Sequence, residues 1–102
     1  MAQVLVLYNH PADPAAFDRY YFETHVPIAK RIPGLRSYLV NSGSPQMVAG
    51  SQAPYLVAEL EFDSMADVQS ALTSAEGMAT AADLANFAQA GVTILMFDTR
   101  KL

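Results

Sequence analysis

The chain contains no cysteine and few charged residues. The absence of cysteine excludes disulfides, a thiolate nucleophile and cysteine-ligated metal sites, and it leaves the redox compartment open. Charged residues make up 16% of the 102 residues, and the net charge is −4. Because nucleic acids and anionic membranes attract basic surfaces, this composition predicts neither of them as a partner.

Long apolar runs and the motifs of common cofactor sites are also missing. The opening segment Met1–Leu7 lacks a basic region, and its apolar run is too short for export or for crossing a bilayer, so we expect a cytoplasmic protein. No glycine-rich phosphate loop is present. His10 and His25 are the only histidines; neither is placed as a haem ligand, and with Asp13 they form no metal-ligand motif. We therefore predict no metal and no cofactor.

Apolar residues, in contrast, are abundant, at 52% of the chain. The length allows one domain, residues 1–102, and is too short for two domains with separate cores. A surface with so few charges favours burial of its apolar excess against another subunit. The composition therefore predicts a single domain that forms a homodimer.

The spacing of apolar residues predicts four strands separated by helices. Pro27 breaks the first helix just after His25, because proline disfavours helical geometry in the preceding residue and donates no hydrogen bond. Ser64 and Thr80 each precede an aspartate by three residues, as in a capping box, and Glu76-Gly77 is interpreted as the end of the helix between them. The predicted strands are Val4–Tyr8, Leu35–Val40, Tyr55–Phe62 and Val92–Asp98, and the predicted helices begin at Asp13, Pro27, Ser64 and Thr80.

This order of elements is the β-α-β-β-α-β arrangement of an α+β, ferredoxin-like fold, with one extra short helix. Such a fold has a four-stranded antiparallel sheet with both long helices on one face. The other face is uncovered in a monomer, and the apolar strands predict that a second sheet packs on it.

A histidine on an aromatic stripe is the most distinctive feature of the first helix. Phe17, Tyr21 and His25 are spaced four residues apart and therefore share one side of the helix, which faces the sheet. An imidazole beside the break at Pro27 is suited to proton transfer near neutral pH, since its ordinary pKa is about 6.5. The alternative is a structural histidine that hydrogen-bonds a carbonyl freed at the kink, such as that of Glu23.

Several tyrosines are candidates to share the surroundings of His25. Tyr20 and Tyr21 are adjacent and point in different directions, so we expect at most one of them to reach the same recess, and Tyr21 is favoured. Tyr20 is interpreted as a core or interface residue. Tyr8, Tyr38 and Tyr55 either pack on the sheet or line the cavity.

The pattern around this helix resembles the EthD family, named for ethyl tert-butyl ether degradation. The resemblance covers nearly the whole chain in length and strand order. After the third strand it is mainly a match of pattern. It rests on Phe17, the Tyr20-Tyr21 pair, His25-Val26-Pro27, and Ile32-Pro33-Gly34-Leu35 in the family's order and spacing.

The resemblance implies a dimeric α/β barrel with a pocket for a small-molecule ligand between helices and sheet, where His25 is the expected polar group. We therefore expect a cofactor-independent isomerase, lyase or monooxygenase-like enzyme acting on a small apolar or aromatic carbonyl compound. His25 and Tyr21 are the candidate catalytic residues, and Phe17, Tyr20, Tyr8 and Tyr38 are the candidate substrate-binding residues. The alternatives are a non-catalytic ligand carrier or accessory protein of a degradation pathway, and a purely structural dimer.

Overall fold

The computed structural model describes residues 1–102. It contains a four-stranded sheet and several short helices. The strands are β1 (Ala2–Tyr8), β2 (Ser37–Val40), β3 (Leu56–Phe62) and β4 (Val92–Asp98). The helices are α1 (Pro14–Tyr20), α2 (Val26–Ala29), α3 (Met65–Thr73) and α4 (Ala75–Asp83), with a π-helical turn at Tyr21–His25 and a 3-10 turn at Leu84–Asn86.

The sheet has the strand order β2-β3-β1-β4, and every neighbouring pair is antiparallel. In the central strand β1, Val4 lies opposite Leu60 of β3 and Met96 of β4. Alternate residues of β1 and β3 are buried, as expected when only one face of a sheet is covered by helices. The predicted α+β, ferredoxin-like fold with a four-stranded antiparallel sheet is confirmed.

The first helix begins and breaks where local rules predict. The Asp13 carboxylate accepts a hydrogen bond from the Ala16 amide at 3.1 Å, and Pro14 occupies the first turn of α1. Before Pro27 the helix widens into the π-helical turn, in which the Val26 amide donates to the Tyr21 carbonyl. The widened turn keeps the chain helical up to α2 and leaves the side chain of residue 25 directed inward.

The predicted boundary between the helices that follow β3 is wrong. Ser64 caps α3 as expected, but α3 ends at Thr73, and Ser74 then caps α4 by accepting from the Gly77 amide at 3.0 Å. Glu76-Gly77 therefore lies in the first turn of α4 and does not end a helix. Gly77 is required there because a Cβ would collide with the Ala71 carbonyl of α3.

The predicted third cap at Thr80 is also wrong. Thr80 lies inside α4, where its hydroxyl donates to the Glu76 carbonyl at 2.8 Å. Asp83 is the last residue of α4, and it is buried, with 7% of its surface exposed. The expected third helix is reduced to the 3-10 turn, and Phe87 follows it into the core.

The face of the sheet opposite the helices carries a row of apolar side chains, which we call the open sheet face. Leu39, Leu95 and Phe97 are 59%, 47% and 40% exposed on it. The pairing register gives this face the apolar residues Leu5, Leu7, Leu39, Val57, Leu95 and Phe97, and the polar residues Gln3, Ser37, Glu59, Glu61 and Thr93 between and beside them. No helix of the chain combines the length and the apolar character needed to cross a membrane.

Candidate functional site

A small cavity lies between the sheet and the helices, and we call it the His25 cavity. Its volume is about 80 Å³, and its walls come from all four strands, from α2, α3 and α4, and from the π-helical and 3-10 turns. Twelve of its fifteen lining residues are hydrophobic. The groups that can donate or accept hydrogen bonds are the imidazole of His25 and the hydroxyls of Tyr8, Tyr38 and Thr80.

His25 is held by Asp83, and both side chains are buried. The Nδ1 atom of His25 lies 2.9 Å from Oδ2 of Asp83. The other carboxylate oxygen of Asp83 accepts from the Tyr20 hydroxyl at 2.6 Å and from the side-chain amide of Asn86 at 3.0 Å. Asp83 is therefore fixed by three donors from three segments of the chain. Asp83, and not the Glu23 carbonyl expected from the sequence, is the partner of His25.

The hydrogen-bond network assigns the tautomer of His25. A carboxylate only accepts hydrogen bonds, so Nδ1 of His25 carries the proton that is donated to Asp83. The Nε2 atom then has a free lone pair. No protein group hydrogen-bonds Nε2, and the atom is not sealed off by its neighbours. It is therefore the one nitrogen of the ring available to a molecule in the cavity.

Burial and hydrogen bonding set the charges of this pair. Burial lowers the pKa of His25 below its usual 6.5, although the hydrogen bond to Asp83 and its charge act in the opposite direction. Burial alone would raise the pKa of Asp83, but the hydrogen bonds from Tyr20, Asn86 and His25 outweigh it and hold the pKa below 3.8. At neutral pH the site therefore contains a neutral imidazole beside a charged carboxylate.

A larger groove lies on the outer side of the same network. It is open, has a volume of about 530 Å³, and is lined by Tyr20, Asn86 and Phe87 among other residues. The Phe87 ring separates it from His25, with ring centroids 4.6 Å apart. The groove contains no imidazole, so the chemistry favours the smaller cavity despite its size.

Comparison with known proteins identifies the family of the chain. The protein-family model described as the EthD domain matches residues 9–91 of the sequence. The chain belongs to the EthD family. It is 43% identical over 99 residues to an uncharacterised 11.0 kDa protein from the thcB–thcC intergenic region of Rhodococcus erythropolis, with 96% of this chain and 94% of the relative aligned.

Solved structures agree with the fold of this EthD protein. An EthD family protein from Bacillus halodurans C-125 superposes with a TM-score of 0.87 at 33% identity, covering 98% of this chain and 99% of that protein. A dimeric protein of unknown function with a ferredoxin-like fold, from Bacteroides fragilis, superposes with a TM-score of 0.64. Its identity is 16% over 96% of this chain and 95% of its own length, so it is evidence for the fold alone.

The tyrosines and Phe17 of the EthD chain divide between the cavity and its surroundings. Tyr8 and Tyr38 line the His25 cavity, whereas Phe17, Tyr20 and Tyr21 do not. The Tyr21 ring packs beside the imidazole, with centroids 5.5 Å apart, and its hydroxyl lies 2.5 Å from that of Tyr38. Tyr20 reaches His25 only through Asp83. Phe17 is part of the aromatic core, stacked on Tyr21 at 5.9 Å.

Tyr55 and His10, which the sequence also offered as candidates, do not line the His25 cavity. The Tyr55 hydroxyl donates to Asp18 at 2.8 Å, and the exposed His10 packs against the Tyr55 ring at 5.5 Å. The chain contains no cluster of three or more histidine, cysteine, aspartate or glutamate side chains that could hold a metal ion.

Sequence reasoning missed two residues of the site, Asp83 and Asn86. Asp83 was interpreted as part of a helix cap because it follows Thr80 by three residues. A signal was nevertheless present, since Asp83 stands between Ala82 and Leu84, where an acidic side chain interrupts an apolar stretch. Asn86 follows Asp83 by three residues, a spacing that brings side chains together on a helical turn.

The charges of the site predict a pH-dependent stability of the EthD protein. A histidine whose pKa is lower in the folded protein binds fewer protons than in the unfolded chain, so the free energy of unfolding falls as the pH falls below 6.5. Asp83 adds a further loss below pH 3.8, because its pKa is also lower in the folded state. Urea denaturation followed by circular dichroism should show lower stability at about pH 5 than at about pH 7.5.

A variant pair isolates the contribution of His25 to this pH dependence. His25→Gln removes the titrating group and should flatten the slope between these two pH values. His10→Ala, which removes the exposed histidine, should retain the slope of the wild type. An unchanged slope in His25→Gln would show that other groups cause the pH dependence.

Proposed function

We propose that this EthD protein is a cofactor-independent enzyme that moves a proton on a small carbonyl compound, with His25 as the catalytic base. The observation that carries the proposal is the His25 imidazole, which lines an apolar cavity and is held by Asp83 through Nδ1, so that Nε2 is left without a protein partner. A base must lie within hydrogen-bond reach of the proton that it takes and must be unprotonated at working pH. The placement and the lowered pKa of His25 support both conditions.

Asp83 acts as a positioning residue in this proposal. Its carboxylate holds the tautomer in which Nε2 is the acceptor, and it stabilises the imidazolium that forms when Nε2 takes a proton. The three donors on Asp83 keep the carboxylate charged and prevent it from turning away. Isomerisation, dehydration and cyclisation all use such a proton transfer, so each is compatible with the site, whereas decarboxylation begins from a carboxylate and needs no base to remove a proton.

The size of the cavity favours an aliphatic substrate. An engineered cavity of about 150 Å³ in another protein holds one benzene molecule. The His25 cavity has about half that volume, 80 Å³, so it holds a carbonyl group and the adjoining carbon atoms, whereas the rest of a molecule as large as benzene or butanone extends through its open side. We infer that the reacting part of the substrate is a compact aliphatic carbonyl group with its neighbouring carbon atoms.

We also propose that the protein is a homodimer in which a second copy covers the open sheet face. The exposed Leu39, Leu95 and Phe97 supply an apolar surface that water disfavours. The dimeric protein from Bacteroides fragilis that shares the fold supports this assembly. Two such faces packed together form the sheet-on-sheet arrangement expected from the sequence.

A ligand carrier is the second candidate function, and the composition of the cavity favours it. Twelve of the fifteen lining residues are hydrophobic, which suits the binding of a small apolar molecule without any reaction. In that case His25 supplies a hydrogen bond to the ligand and takes no proton from it.

Deuterium exchange separates the two functions. Butanone in D2O exchanges the hydrogens next to its carbonyl when a base removes them, and the loss of the proton signal is followed by NMR. We expect metal-free wild-type protein, with a chelator present, to accelerate this exchange above the rate in buffer. Butanone binding, seen as saturation transfer from the protein, without accelerated exchange would overturn the enzyme proposal and support the carrier.

A further inference from the structure

Two hydroxyls of the His25 cavity have no part in holding the imidazole. Tyr8 lies at the end of the central strand β1, with 2% of its surface exposed. Its hydroxyl hydrogen-bonds no protein group, yet it is not sealed off by its neighbours. A buried hydroxyl normally finds a partner, so this one is available to a molecule in the cavity.

The second hydroxyl belongs to Tyr38, on the edge strand β2. It lines the same cavity and lies 2.5 Å from the hydroxyl of Tyr21. When Tyr21 donates to Tyr38, the proton of the Tyr38 hydroxyl is free to point into the cavity. Tyr21 itself is fully buried between Tyr8 and the His25 ring, so the donor behind Tyr38 cannot rotate into water.

The surroundings keep these hydroxyls protonated. Burial raises the pKa of Tyr8 well above 10, and the nearby Tyr38 and Asp83 raise it further. Burial also raises the pKa of Tyr38 and, together with Tyr38, that of Tyr21. At neutral pH the tyrosines can therefore donate hydrogen bonds but cannot act as bases. His25 is the group in this cavity that accepts a proton.

We propose that the hydroxyls of Tyr8 and Tyr38 form an oxyanion site that binds the enolate produced when His25 removes a proton. This inference rests on the proposed function and assigns the groups that bind the oxygen of the enolate. Hydrogen-bond donors fixed where negative charge develops stabilise a transition state strongly in a site that excludes water. Tyr21 is a positioning residue, because it acts through the hydroxyl of Tyr38.

The step balances without a cofactor. The bond between hydrogen and the carbon next to the carbonyl breaks, and the proton goes to Nε2 of His25. Its electron pair forms a carbon–carbon double bond, and the electrons of the carbonyl double bond move to oxygen, where Tyr8 and Tyr38 donate to the new charge. The imidazolium then returns a proton to the same carbon, which regenerates the substrate and exchanges its hydrogen in D2O, or to another carbon of a conjugated enolate, which yields an isomer.

The cavity also selects the charge of the substrate. Its lining contains no lysine or arginine, so nothing in it neutralises a carboxylate or a phosphate. The charge of Asp83 behind His25 further disfavours an anion. The substrate class that fits is therefore an uncharged aliphatic ketone, aldehyde, ester or lactone with a hydrogen on the carbon next to the carbonyl.

Four phenylalanine variants test the oxyanion site through the exchange of butanone. Tyr8→Phe and Tyr38→Phe each keep the ring and remove a donor, and each should slow the exchange by about 10²-fold. Tyr21→Phe should slow it by about tenfold, because Tyr38 keeps its hydroxyl but loses its support. Tyr55→Phe is the matched control outside the cavity and should leave the rate unchanged. Thermal unfolding confirms that each variant is folded.

Binding of an enolate mimic supplies a readout that does not depend on turnover. Ethylnitronate, the anion of nitroethane, is planar and carries its charge on oxygen. Ethylnitronate matches the enolate beside the imidazolium when Nε2 of His25 takes up a proton on binding, so by isothermal titration calorimetry wild-type protein should bind it at least about tenfold more tightly than butanone, with proton uptake. The double variant Tyr8→Phe/Tyr38→Phe should lose this preference.

The outcomes distinguish the two proposals. A nitronate preference that depends on Tyr8 and Tyr38, without exchange of butanone, would overturn the enzyme proposal and leave the oxyanion site standing. Exchange that depends on His25 but is unaffected by Tyr8→Phe and Tyr38→Phe would overturn the oxyanion site alone. Equal binding of butanone and ethylnitronate by the wild type would also overturn it.

Discussion

Replacing His25 with alanine is expected to reduce the exchange of butanone to nearly the rate in buffer, a loss of about 10²–10⁴-fold. The reason is that no other group in the cavity can accept a proton at neutral pH. The tyrosine hydroxyls are protonated, and Asp83 reaches the cavity only through the imidazole. The measurement is the proton NMR signal of butanone in D2O at equal concentrations of folded protein.

Two controls make the effect specific to His25. His10→Ala removes the other histidine, which is exposed in a turn, and should exchange butanone at the wild-type rate. Free imidazole added to His25→Ala should restore part of the activity, because the deletion leaves a space of the right shape beside Asp83. Wild-type exchange by His25→Ala would refute the role of His25 as the base.

The substitution Leu95→Asp is expected to dissociate the proposed dimer. Leu95 lies on the open sheet face beside Leu5, and 47% of its surface is exposed in the single chain. The monomer should therefore tolerate the aspartate, whereas a dimer would bury two further carboxylates on a face that already carries Glu59 and Glu61. Such burial should raise the dissociation constant by about 10²-fold or more. Sedimentation velocity over a range of concentrations measures the change.

Val48→Asp is the matched control for this substitution. Val48 is 98% exposed in the loop between β2 and β3 and belongs to no strand of the sheet, so its replacement should leave the dimer intact. Monomeric wild-type protein at micromolar concentration, or unchanged association of Leu95→Asp, would contradict the proposed interface.

Local rules predicted the parts of the fold that depend on neighbouring residues. Asp13 and Pro14 begin the first helix, and the helix is irregular just before Pro27, because these residues act on the backbone within one turn. The break between α3 and α4 depends instead on Gly77, which allows close approach to the Ala71 carbonyl. That contact exists only after the two helices pack, so the spacing of apolar residues could not place it.

In the candidate site, too, the features set by neighbouring residues were predictable and those set by packing were not. The spacing of Phe17, Tyr21 and His25 correctly placed all three on the buried side of the first helix, since that spacing is a property of the helix itself. Asp83 is 58 residues away from His25 along the chain and was assigned to a cap that its local pattern resembled. Only the packing of α4 against the π-helical turn brings its carboxylate to the imidazole.

The different partners of the adjacent residues Tyr20 and Tyr21 could be identified only from the structure. Tyr21 was favoured as the donor in the cavity, but its hydroxyl meets Tyr38, and Tyr38 lines the cavity in its place. Tyr20 lines the larger groove, and its hydroxyl donates a hydrogen bond to Asp83. The direction of a side chain follows from helical geometry, whereas its partner depends on strands that lie far away in sequence.

Nitrogen-15 NMR of the histidine side chains measures the protonation state on which the role of His25 as a base depends. We expect His25 to be neutral at pH 7, with the proton on Nδ1 and an unprotonated Nε2, and its pKa to lie below 6.5. A proton on Nε2, or a charged imidazolium at neutral pH, would refute this role, because the cavity would then contain no base.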